Sequence, residues 1–94
     1  MNFKIIISTE AKKQTLDAFN YYENKQENLG EIFLQTIESL YLKLQKSPYN
    51  YSFLSSQKDL RYTSISTFPF IIIFEILEDV VYIINVHNTH QARK

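Results

Sequence analysis

The chain has 94 residues, room for a single hydrophobic core, and its 45% hydrophobic and 15% aromatic content excludes a disordered segment. Ten basic and ten acidic residues give a formal net charge of zero, which argues against strong nonspecific nucleic-acid binding, because each phosphate contact wants its own cation. Cysteine is absent, so neither a disulfide framework nor a thiolate zinc site holds the fold, and a reducing, cytoplasmic setting is the expectation.

Phe3 to Ile7 is short, β-branched and apolar and predicts a first strand. The run is too short for the apolar region of a signal sequence, and Phe68 to Phe74 falls far below the ~18 residues a membrane span needs. Ser8 or Thr9 offers an N-cap, with Glu10 in the first turn facing the positive helix end. Ala11, Thr15, Ala18 and Tyr22 form one i,i+4 row that Leu16 and Phe19 widen, predicting an amphipathic helix to about Asn24 or Lys25. Asn28-Leu29-Gly30-Glu31 has the spacing of a capping box, with Asn28 as N-cap and Glu31 at the third helical position. Phe33, Ile37, Leu40, Tyr41 and Leu44 make the apolar face of the second helix, which Ser47-Pro48 ends. The short gap between the helices predicts an antiparallel hairpin.

Asn50 to Asp59 is polar and turn-like, with Tyr49, Tyr51 and Phe53 as anchors onto the body. Strands are predicted over Leu60 to Ser66, Phe70 to Leu77 and Val80 to Val86, the last two joined by Glu78-Asp79 in a tight hairpin. His87 to Lys94 is expected to be an exposed tail, acid-free and carrying His87, His90, Arg93 and Lys94. The fold class is therefore α+β in one domain over residues 1–94: an N-terminal strand, an antiparallel helical hairpin and a three-stranded antiparallel meander.

Phe70 to Phe74 is apolar on both faces and Val80 to Val86 nearly so, whereas an antiparallel sheet with one wet face alternates. Two helices cover one face, so the other either curls into a small core of its own or takes a partner, and exposed apolar patches mark such sites. Phe70, Ile72, Phe74, Val80, Tyr82 and Ile84 are the candidate partner-binding residues.

Residues able to carry chemistry are few. Arg61, early in its strand, can clamp a phosphate or carboxylate with its rigid donor fork, or serve as a solvated strand residue paired with Asp59 or Glu75. His87 and His90 are three apart, but local spacing suggests no third metal ligand, so neither a metal nor a cofactor is expected. The histidines can instead act as acid and base on RNA, with Arg61, Arg93 and Lys94 as the cations, or be plain strand-end residues. Tyr21, Tyr22, Tyr41, Tyr62 and Tyr82 sit at helix or strand spacings that suit core-edge packing. Gly30 is the only glycine, which excludes a P-loop or dinucleotide-binding loop.

Over nearly its whole length the chain resembles the RelE/ParE superfamily of bacterial toxins. The resemblance rests on Ala11 early in helix one, Tyr21-Tyr22-Glu23, Leu29-Gly30 followed by Phe33, and Pro48 after helix two. It continues through Arg61, Phe68-Pro69-Phe70 and Val86-His87. The resemblance implies the toxin of a type II toxin–antitoxin pair, held inactive by a cognate antitoxin that wraps it, which would cover the doubly apolar strands. RelE-like members cut mRNA in the ribosomal decoding site with basic residues and a histidine or tyrosine near the C-terminus; here Arg61, His87, His90, Arg93 and Lys94 would fill those roles. ParE-like members inhibit DNA gyrase and have no recognised hydrolytic site. The Tyr21-Tyr22-Glu23, Leu29-Gly30 and Phe68-Pro69-Phe70 segments look closer to the ParE-like side. Where many relatives place an arginine and then a proline after the closing histidine, this chain has His90 and Ala92, one fixed cation fewer. The expected partners are thus an antitoxin and DNA gyrase, alternatively the ribosome and mRNA, with no membrane association and no DNA binding by the toxin alone. A non-toxic interaction module of the same fold is the third reading.

Overall fold

The computed structural model describes residues 2–54 and 59–90. Strand β1 (Lys4–Ile7) leads into helices α1 (Thr9–Lys25) and α2 (Leu29–Lys46) and a short 3-10 turn (Pro48–Asn50). Strands β2 (Leu60–Ser64), β3 (Phe70–Leu77) and β4 (Val80–Asn88) follow. The α+β arrangement of strand, helical hairpin and antiparallel meander is as the sequence predicts.

Ser8 caps α1 by accepting the Ala11 N–H at 2.9 Å, while its own hydroxyl donates to the Ile84 carbonyl at 2.8 Å. One residue therefore starts the helix and pins it to β4. At the other end of the hairpin the expected capping box does not form. Asn28 adopts a left-handed φ of 74° and makes no side-chain cap bond, because a capping side chain needs an extended backbone to reach the helix N–H groups. Glu23, from the last turns of α1, substitutes: its carboxylate accepts the N–H groups of Asn28 and Gly30, both at 3.0 Å.

The sheet order is β1-β4-β3-β2, with β1 parallel to β4 and every other pairing antiparallel. A β-bulge interrupts β4: Ile73 faces Asn85 but Phe74 faces Ile83, leaving Ile84 as the extra residue. The inward set of β4 consequently changes parity, from Val81 and Ile83 to Val86, all buried. This shift is why the strand reads as apolar on both faces. The inward faces of β3 and β4 meet Phe33, Ile37 and Leu44 of α2, with Leu40 at the margin, and the small residues Ala11 and Ala18 of α1. Tyr22, Phe33, Phe68 and Phe70 close one end of this core with ring centroids 4.9–6.3 Å apart.

Two predicted boundaries move. β2 ends at Ser64, after which buried Ile65 and a positive φ at Thr67 turn the chain back into β3. β4 runs on to Asn88, so His87 is a strand residue and not the start of a tail. His87 stands opposite Ile71, and the Thr89 N–H and hydroxyl both donate to the Pro69 carbonyl, at 2.8 and 3.0 Å. Arg93 and Lys94 lie outside the described residues. Among the described residues no helix is long and apolar enough to cross a membrane.

Candidate functional site

Phe70, Ile72 and Phe74, expected at a partner interface, are 7%, 0% and 0% exposed and belong to the core beneath the helices. Alternation along β3 sends them inward, and the apolar residues between them outward. The open face of the sheet is built from Val80 and Tyr82 on β4, Ile71, Ile73 and Leu77 on β3, Tyr62 on β2 and Ile6 on β1. Most of these are half-buried, while Ile6 and Leu77 are exposed. Ile84, at the bulge, is half-buried as well. The expectation of an uncovered apolar sheet face thus passes from Phe70, Ile72 and Phe74 to their outward neighbours.

A second apolar surface was not anticipated from the sequence. A groove of about 470 Å³ runs along the helical hairpin beside β1, lined by Ile7, Phe19, Leu34, Ile37 and Tyr41 and edged by Lys12, Leu16 and Glu38. Leu16 stands 58% exposed at its rim. Burial in this groove pushes the Tyr41 phenol up to about 12. The signal was present in the spacing: Leu16 and Phe19 widen the stripe of α1 beyond what the sheet can cover.

A third recess, of about 460 Å³, lies between the second half of α1 and the end of β4. Its walls include Gln14, Asp17, Tyr21, Tyr22 and Lys25 from the helix and His87, Asn88 and His90 from the strand end. Desolvation, assisted by neighbouring Tyr21, raises the Tyr22 phenol above its ordinary value.

Arg61 does not join the histidines. It pairs with Phe74 on the inward side, whereas His87 pairs with Ile71, so the two are on opposite faces and about 10 Å apart along β3. Nor does Arg61 pair with Asp59 or Glu75; the Lys13–Asp17 pair is the single salt bridge among the described residues. Its guanidinium instead lies over the Phe53 and Tyr49 rings, 4.0 and 5.4 Å from their centroids, and donates to the Tyr51 carbonyl at 2.6 Å. The expected anchors Tyr49, Tyr51 and Phe53 therefore fasten their segment by packing on and bonding to this arginine, with Tyr51 also packed edge-on to Phe74 at 5.9 Å.

A strand, a helical hairpin and an antiparallel meander whose last strand takes back the first define a small α+β toxin fold of the RelE/ParE superfamily. Residues 5–93 match the family model described as the ParE toxin of the type II toxin–antitoxin system parDE, and the chain belongs to that family. A solved structure described as the chromosomal ParDE TA system from P. aeruginosa superposes with a TM-score of 0.82. The two chains are 13% identical over 94% of this chain and 97% of the other, so the likeness is one of fold. No curated protein sequence matches the chain.

Proposed function

We propose that this toxin arrests growth by binding DNA gyrase and is held inactive by a cognate antitoxin covering its apolar surfaces. The observation that carries the choice of target is the position of Arg61. A ribosome-dependent nuclease needs a base, a proton donor and cations converging on one phosphate. Here the guanidinium lies over the Phe53 and Tyr49 rings, on the face of the sheet opposite His87. Gyrase inhibition by surface contact requires no such convergence and suits a chain of zero net charge. For the antitoxin, the helical groove fits the apolar face of an amphipathic helix, and the open sheet face around Val80, Tyr82 and Ile84 fits an extended apolar segment.

Brief expression in cells, with translation, mRNA ends and plasmid supercoiling followed side by side, tests this reading. Intact mRNA with loss of negative supercoiling supports it. Rapid loss of protein synthesis with new cuts in translated codons, abolished by His87→Ala or Arg61→Ala, supports the nuclease reading in its place.

A further inference from the structure

The strand order leaves one stretch of sheet edge without a neighbour. β1 ends at Ile7, opposite Ile83, so beyond the bulge β4 has β3 on one side and, among the described residues, no strand on the other. The hydrogen bonds already made show which backbone groups point to that open side. Thr89 N–H bonds the Pro69 carbonyl across to the β3 side, and His87 has the same parity. Alternate residues of an antiparallel strand direct their backbone groups oppositely, so Val86 and Asn88 point away from β3. Val86 bears this out: its N–H donates at 2.7 Å to the side-chain oxygen of Gln14 on α1. The main-chain N–H and C=O of Asn88 have the same direction and meet no partner among the described residues.

These groups open onto the recess between α1 and β4, about 460 Å³ in volume. Its floor includes Ala18 and Phe70, both buried. Its rim carries Lys25 and His90, the His87 side chain standing on the opposite face of the strand, and the carboxylate there, Asp17, is paired with Lys13 at 3.2 Å. An open edge beside an apolar floor is a template for strand addition, in which main-chain bonds hold the guest and alternate side chains select it.

We propose that this recess receives an extended, acidic segment of the cognate antitoxin, which adds to β4 as a strand along Val86–Asn88. The proposal rests on the reading of the chain as an antitoxin-held toxin. The guest's backbone meets the N–H and C=O of Asn88; on the helix side of the sheet one of its side chains packs onto Ala18 and Phe70 and a carboxylate reaches Lys25.

Amide exchange of the full chain, free and bound to the protein encoded beside its gene, tests the proposal. The Asn88 amide exchanges rapidly in the free chain and slows by about tenfold or more in the complex. Lys25→Glu weakens the complex by up to about fivefold at low salt, the scale of an exposed ion pair. Asn88→Pro, which deletes the donor at an edge position where proline is tolerated, weakens it further. If that variant misfolds, the amide measurement on the natural chain decides. A tight complex in which Asn88 exchanges as in the free chain overturns the proposal and leaves the antitoxin reading intact. No complex at all overturns both.

Discussion

Gly30 is the residue on which the hairpin closes. A Cβ built there would stand 2.7 Å from the Phe19 carbonyl oxygen, 2.8 Å from the Phe19 ring and 2.9 Å from the Glu23 carboxylate. Alanine ordinarily favours a helix over glycine by about 1 kcal/mol, but a backbone oxygen at this distance cannot yield. Gly30→Ala is therefore expected to destabilise by about 1–3 kcal/mol, read from the urea midpoint. The spacing of Asn28 and Glu31 suggested a cap without showing the sign of φ at Asn28, and hence not that Glu23 would do the capping. Tyr41 provides a second test at this scale. Its phenol is raised to about 12 from an ordinary 10.0 by burial, so the folded state holds the proton more tightly than the unfolded chain. Stability from this group is complete below pH 10 and is lost as pH rises toward 12. Phenolate absorbance should show Tyr41 titrating late, alongside the raised Tyr22, and mutation of Tyr41 to Phe should remove the Tyr41 component alone.

At the scale of elements, the segment between α2 and β2 is held to the sheet by Arg61. Phe53 pairs with Arg61 as an isolated bridge, the Tyr62 N–H donates to the Ser52 carbonyl, and the guanidinium reaches the Tyr51 carbonyl. Arg61→Ala should destabilise by about 1–2 kcal/mol, through lost ring stacking and a lost charged hydrogen bond, and leave growth inhibition in place. Lys at this position should rescue little, since it lacks the planar fork. The strands show how far pattern reaches. The helices, β3 and the Glu78-Asp79 turn follow from local periodicity, because their partners lie close in sequence. The parallel seating of β1 on β4 and the last residues of β4 do not, because both depend on pairings made in space. His87-Asn88-Thr89 is polar and resembles a tail until Ile71, Phe70 and Pro69 are placed beside it.

Among the described residues the whole molecule presents two uncovered apolar surfaces, on the helical hairpin and on the open sheet face, around one core. The apolar sheet surface is legible in the doubly apolar strands, but the parity of its residues is not; burial separates Ile72 from Ile71 where composition cannot. Leu16, exposed at the groove rim, contributes little to stability, so Leu16→Glu should leave the thermal midpoint nearly unchanged while weakening antitoxin binding by about tenfold, as loss of an interface anchor does. Calorimetry of the variant with the antitoxin checks both halves.

The claim that this toxin acts by contact with gyrase is tested most directly by adding the purified chain to purified gyrase and relaxed plasmid. Supercoiling is expected to fall with increasing toxin, Arg61→Ala and His87→Ala to inhibit still, and the cognate antitoxin to restore the reaction. Undiminished supercoiling at saturating toxin, together with codon-specific mRNA cuts when the same preparation meets translating ribosomes, would contradict it.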